Sequence, residues 1–167
     1  SACLVGSEMC IRDREIFTKL PDLKVGYLFV EDLKQGESSQ ELQNIVLEAV
    51  ESAKKLEETD KRVTDWKEAF ESFGLDSEKT KPAHIALIDR VKKDDKLPSI
   101  LPIVDLTGAF AVTQVTPIGT HQLDNLREDI VIRLTKEGDT FQGMNKDSAE
   151  AVPVGELAYT SGTNVLT

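Results

Sequence analysis

Two histidines, His84 and His121, supply every imidazole in the chain, so a reaction needing a His base near neutral pH must use one of them. His84 falls where the sequence opens a helix, which predicts a surface or capping role. His121 lies in Thr116-Pro117-Ile118-Gly119-Thr120-His121-Gln122-Leu123-Asp124, a loop segment in which it is either a base or an ordinary loop imidazole. Glu156 has the most suggestive setting of the carboxylates. Gly155 before it lets backbone approach a ligand closely, and Val154 and Leu157 around it predict partial burial. A buried carboxylate needs a partner, either an arginine such as Arg133 on a neighbouring strand or an ammonium or hydroxyl of a ligand. Other chemistry is excluded by motif. There is no phosphate-binding Gly-rich loop, no G-x-S-x-G, no H-E-x-x-H and no Cys pair at zinc spacing. Cys3 and Cys10 read as reduced thiols, so no metal and no cofactor are expected.

Charge narrows the partners. A net charge of −10 argues against a protein that holds nucleic acid mainly by neutralising phosphates, and no DNA partner is expected. One stretch runs the other way, with Lys79, Lys81, Arg90, Lys92, Lys93 and Lys96 set against Asp89, Asp94 and Asp95. It is either a solvated helix end with cations at its C-terminus or a contact for RNA. No apolar run reaches the ~20 residues of a membrane span, and the start lacks a basic segment followed by an apolar one. With two unpaired thiols this predicts a cytoplasmic protein. The chain opens on Ser1 and not on Met, so the residues before Met9 are expected to be a processed or appended segment.

The elements that must position these residues follow from periodicity. Val25-Gly26-Tyr27-Leu28-Phe29-Val30 reads as a buried strand. Ser38 and Glu41 have capping-box spacing, and Leu42, Ile45, Val46, Ala49, Val50, Ala53 and Leu56 recur at helical intervals after them. A second helix carries Val63, Trp66, Phe70 and Phe73 on one core-facing stripe and ends at Gly74. A third begins near Pro82 with Ile85, Ile88 and Val91 on one face. From Leu97 the pattern becomes short β-branched runs broken by Pro98, Pro102, Gly108, Pro117 and Gly119. Ile100 to Leu106 and Ala109 to Val115 are predicted strands. Ile130 to Leu134 is expected to turn through Lys136-Glu137-Gly138-Asp139 into Thr140-Phe141 as a hairpin. Gln142 to Val152 reads as a polar loop, and Val154 to Tyr159 with Val165-Leu166 as further strand pieces. No linker separates two independent domains, so one α/β (α+β) domain over residues 1–167 is expected, with helices mainly in 38–93 and a β-rich part in 97–167.

The order of these pieces resembles a known family. Leu97-Pro98-Ser99-Ile100-Leu101-Pro102-Ile103-Val104-Asp105, then Pro117-Ile118-Gly119, then Leu123-Asp124 with Asp129-Ile130-Val131-Ile132-Arg133, and finally Pro153-Val154-Gly155-Glu156-Leu157-Ala158-Tyr159 are similar to the B3/B4 domain of the phenylalanyl-tRNA synthetase β subunit, and more closely to its free-standing relatives. Phe17 to Val30, Trp66, Phe73-Gly74 and Leu87-Ile88-Asp89-Arg90-Val91 also resemble the free-standing proteins, so the likeness covers most of the chain. The resemblance implies a mixed, mostly antiparallel sheet flanked by about three helices. In the synthetase the domain hydrolyses tyrosine wrongly attached to the phenylalanine tRNA, and some free-standing members remove near-cognate amino acids in trans.

What the resemblance implies for this chain is a trans-editing aminoacyl-tRNA deacylase, without the aminoacylation module of a ligase. Gly155 and Glu156 match the family's Gly-Glu pair and Pro117 to Gly119 its Pro-x-Gly loop, so Pro117, Gly155 and Glu156 are implied substrate-binding residues, and Thr120 beside that loop is a further candidate. For such a reaction backbone N–H groups around Gly119 and Gly155 could supply donors to the developing oxyanion, and His121 is the second candidate, as a base or water-positioning group. The basic residues Lys79 to Lys96 would contact the tRNA acceptor end. Two departures stand out. Where family members commonly carry an Asn and a hydroxyl residue after the Val-Asp pair, this chain has Thr107-Gly108-Ala109-Phe110, a change in the implied pocket's polar floor. Relatives also continue past the equivalent of Thr167 into an Arg-rich strand, so the C-terminus is expected to be missing or shortened. The other classes left open are a non-catalytic tRNA-binding or adaptor module and a small-metabolite binder.

Overall fold

The computed structural model describes residue 18 and residues 24–34, 36–72, 74–123, 126, 128–143 and 146–166. Cys3, Cys10, Phe17, Phe73 and Asp124 lie outside them. The chain divides into two compact units, residues 30–120 and residues 121–167 together with 1–29. The first is helical and the second holds a five-stranded mixed sheet, so the fold class is α+β.

Four helices run through the helical unit: α1 (Gln40–Lys55), α2 (Lys61–Ser72), α3 (Ala83–Asp94) and α4 (Pro102–Gln114). The N-cap of α1 is Ser39, whose Oγ accepts the Leu42 N–H at 3.1 Å. The expected Ser38–Glu41 box is therefore shifted by one residue, because Ser39 is the one with extended backbone at the helix mouth. The other end of α1 is held by Lys92 of α3, whose Nζ donates to the Leu56 carbonyl at 2.7 Å, a cation satisfying carbonyls left over at a helix C-terminus. Gly74, with φ +77°, follows α2 in the left-handed conformation. Pro82 precedes α3, whose Ile85, Ile88 and Val91 are buried with Ala49, Val50, Ala53, Val63, Leu97, Ala109, Val112 and Val115 in one apolar core.

Three expectations are corrected here. Where two strands are expected over 100–115 the chain forms one helix, Pro102–Gln114. Pro102 occupies the first turn, where its missing N–H costs nothing. The buried Asp105 carboxylate accepts the Ile100 N–H at 2.8 Å and the Ser99 hydroxyl at 2.9 Å, fixing the chain's entry. The helix closes at Val115 in the left-handed conformation, with the Val115 and Thr116 N–H groups both on the Ala111 carbonyl. Second, Val25 to Val30 forms no strand. Its β-formers find no ladder partner among the described residues, and Tyr27, Leu28, Phe29 and Val30 stay exposed, Leu28 at 87%. Third, His84 is a core residue at 2% exposure. Its ring packs in a T-shaped arrangement with Trp66 at a centroid distance of 5.1 Å, and neither nitrogen has a partner among the described residues. Burial holds its pKa down at about 4.

The sheet contains β1 (Ile130–Leu134), β2 (Thr140–Phe141), β3 (Glu150–Ala151), β4 (Leu157–Ser161) and β5 (Asn164–Val165) in the order β1-β4-β5-β2-β3. The expected hairpin between Ile130–Leu134 and Thr140–Phe141 is not made. The turn at 136–139 exists, with Asp139 N–H on Lys136 O. It delivers β2 to β5, in parallel, and to β3, while β1 pairs antiparallel with β4. Glu150–Ala151 adds a short strand inside the segment expected to be loop.

Two outcomes follow for the helical unit. A Cβ added at Gly108 in α4 meets only Leu87 Cδ2 at 3.9 Å, an ordinary contact, so Gly108→Ala raises the urea-unfolding free energy by about 1 kcal/mol. His84 binds no proton in the folded state until about pH 4, whereas the unfolded chain binds one below about 6.5. Stability is therefore lost as pH falls through that window, by about 3 kcal/mol. His84→Leu removes this part of the pH slope in denaturation curves recorded from pH 7 to pH 4.

Candidate functional site

The sheet unit is organised by one buried ion pair. Arg133 on β1 is 11% exposed and Asp139 2%. The guanidinium donates to both carboxylate oxygens, at 2.6 and 2.9 Å, and to the carbonyls of Leu134 at 3.0 Å and Gly162 at 2.8 Å. The Lys136 N–H adds a third donor to the carboxylate at 2.7 Å. These bonds, with Arg133 first, hold the Asp139 pKa below the usual carboxylate range. Arg133 is thus matched by Asp139, and not by Glu156 as the sequence left open.

Glu156 sits in a turn, Pro153-Val154-Gly155-Glu156, that leads into β4. Gly155 has φ +95°, a conformation that disfavours any side chain. The expectation of partial burial is overturned. Glu156 is exposed, and Val154 and Leu157 are exposed at 70% and 48%, because a turn followed by the end of a strand supplies no second layer to cover them. Both N–H groups at the end of the turn are engaged. The Gly155 N–H donates to the Thr135 carbonyl at 3.0 Å, and the Glu156 N–H to Thr135 Oγ1 at 2.9 Å. The Gly155 amide expected to serve an oxyanion is therefore committed to the fold.

His121 belongs to the same unit. Its ring lies over Tyr159 of β4 at a centroid distance of 5.7 Å and a tilt of 33°. It is half-buried, and burial lowers its pKa below the ordinary histidine value, so at pH 7 it is neutral and able to accept a proton. Pro117, Gly119 and Thr120 are exposed and end the helical unit. There the Thr120 hydroxyl meets that of Thr107 on α4 at 3.2 Å.

The basic stretch is largely paired inside the helical unit. Lys79 meets Asp76 at 3.3 Å, Lys81 meets Asp89 at 2.6 Å and Arg90 meets Asp94 at 3.6 Å, while Lys92 caps α1. Lys93 and Lys96 are exposed and carry no ion pair among the described residues. Near Lys81 and Lys92 a small cavity of about 60 Å³ has Val63, Ile85 and Ile88 in its lining. No group of three or more His, Cys, Asp or Glu among the described residues is placed to hold a metal ion. No helix among them is long and apolar enough to cross a membrane.

Sequence reasoning passed over Thr135 and Asp139. The signal for Asp139 was its place at the end of a Gly turn after an arginine strand. Thr135 has no sequence signal beyond ending that strand. A family model described as "B3/4 domain" matches residues 65–166, from α2 through β5. No curated protein and no solved structure matches the chain. Asp139→Asn keeps the shape but removes the charge opposite a buried guanidinium. Its unfolding free energy falls by about 3 kcal/mol, read as a lower urea midpoint at unchanged slope.

Proposed function

We propose, for a chain that belongs to the B3/4 domain family, the removal of a wrongly attached near-cognate amino acid from tRNA, acting in trans and in the cytoplasm. The observation that carries this reading is Glu156, an exposed carboxylate held on a turn whose backbone is fixed by Thr135. A carboxylate that no protein cation neutralises among the described residues is available to accept a hydrogen bond from a polar group on the wrong amino acid. A site built around such a bond rejects an amino acid lacking the group by a large factor, since the carboxylate then goes without its partner.

The reaction is ester hydrolysis. Water attacks the ester carbonyl carbon and loses its proton to a base. The bond from that carbon to the ribose oxygen breaks, and the ribose oxygen takes up a proton as it leaves. Free amino acid and a free ribose hydroxyl result. His121, neutral at pH 7, is the group suited to position the water or take its proton. The ester is already activated, so placement of water and substrate accounts for much of the rate. Lys93 and Lys96 are the cations of the basic stretch best suited to phosphates, the others being largely engaged.

A second reading is favoured by the committed amides of Gly155 and Glu156. A module that binds tRNA and no longer hydrolyses it needs no oxyanion donors there. Purified protein incubated with a panel of tRNAs carrying near-cognate amino acids separates the two. Editing gives ester loss above the uncatalysed rate for at least one pair, and its absence for all pairs leaves the binding module. In the active case Glu156→Ala lowers discrimination on the order of tenfold while changing the unfolding free energy by less than about 0.5 kcal/mol, as befits an exposed residue.

A further inference from the structure

Thr135 is 2% exposed and stands one residue beyond β1. Its hydroxyl donates to the Pro153 carbonyl at 2.6 Å and accepts the Glu156 N–H at 2.9 Å. Its own N–H donates to the Glu156 carbonyl at 2.8 Å, and its carbonyl accepts the Gly155 N–H at 3.0 Å. In an ordinary four-residue turn the last N–H bonds directly to the first carbonyl. Here the threonine hydroxyl stands between those two groups, so the turn is opened and its span is set by the size of one oxygen.

Three other threonine hydroxyls do something simpler. Thr64, Thr107 and Thr113 bond back to carbonyls three or four residues earlier in their own helices, a local habit of hydroxyl side chains. Thr135 reaches across 18 and 21 residues. It holds Glu156 by N–H and C=O together, and the Glu156 side chain has no hydrogen bond or ion pair of its own among the described residues. Where that carboxylate can go is therefore decided by its backbone, and its backbone is decided by Thr135.

We infer that Thr135 is the positioning residue for Glu156, acting through the opened Pro153–Glu156 turn to aim its carboxylate at the substrate; this rests on Glu156 being the substrate-recognition group. The test uses the full chain and four variants: T135V, T135S, E156A and the T135V/E156A double variant. T135V keeps the shape and removes the hydroxyl. T135S restores it. Thr135→Ala, which leaves room for a bridging water, replaces T135V if that variant does not fold.

The first readout is amide hydrogen exchange at Glu156, which needs no activity. T135V accelerates it on the order of tenfold and T135S does not. The second is discrimination in deacylation between the pair of that panel which wild type hydrolyses fastest and the same tRNA carrying its correct amino acid, as a ratio of kcat/KM values. T135V lowers the ratio on the order of tenfold, T135S recovers it, and the double variant is no worse than E156A alone, because both changes remove one contact. Unchanged exchange at Glu156 in T135V overturns the positioning role, as do losses that multiply in the double variant. Failure of the underlying reading looks different. If E156A leaves discrimination untouched, or wild type hydrolyses no ester of the panel, while T135V still accelerates exchange, Thr135 clamps the turn and has no part in substrate selection.

Discussion

A guanidinium carries five N–H donors and cannot give up its charge, so an arginine brought nine-tenths out of water dictates what surrounds it. Arg133 is such a group. Its acceptors come from the turn after its own strand, from Leu134 and from Gly162 between β4 and β5. Asp139 has further duties. The Asp139 carboxylate takes the Lys136 N–H and so shapes the 136–139 turn, and the Asp139 carbonyl takes the Val152 N–H from the segment after β3. The order β1-β4-β5-β2-β3 is thus tied together at the place where one buried charge is satisfied. Thr135, two residues after Arg133, inherits a fixed position from that network and passes it to the turn carrying Glu156.

That dependence explains what could be read in the sequence and what could not. The first three helices were legible because apolar residues recur in them at the helical period. Val50 with Ala53 and Ile85 with Ile88 and Val91 form buried stripes on α1 and α3, whereas α2 buries Val63 and leaves Trp66 and Phe70 of the expected stripe partly exposed. The helix over Pro102–Gln114 was not. It is apolar on nearly every side, with Ile103, Val104, Leu106, Phe110 and Val112 in sequence positions that fit either period, and a run of this kind carries no directional signal. Pro102 was read as a break, although a proline in a first turn starts a helix as readily as it ends a strand.

In the sheet, the turn at 136–139 was legible from Gly138 and its charged neighbours, but a turn does not name the partner of the strand that leaves it. Pairing β1 with β4 depends on contacts 29 residues apart, such as Arg133 with Gly162. The candidate site shows the same division. Gly155 marked an unusual backbone point, and its φ of +95° bears this out. The burial inferred for Glu156 from Val154 and Leu157 failed because flanking apolar residues cover a side chain only when another layer packs on them.

The exposure of Glu156 changes what the turn is suited to do. A carboxylate in water is stable without a protein partner, so it can be left open for a ligand at little cost, whereas a buried one would have demanded a cation. The backbone beneath it is the reverse case, with both neighbouring N–H groups already bonded to Thr135. A fixed backbone carrying a solvated acceptor is the arrangement that lowers the ordering cost of recognition. It adds nothing to the stabilisation of an oxyanion, which needs free donors aimed at the reacting oxygen. In the proposed reaction selection and hydrolysis would therefore fall to different groups: the turn would choose the amino acid, and the chemistry would rest on water placed by others, with His121 against Tyr159 as the candidate in the same unit.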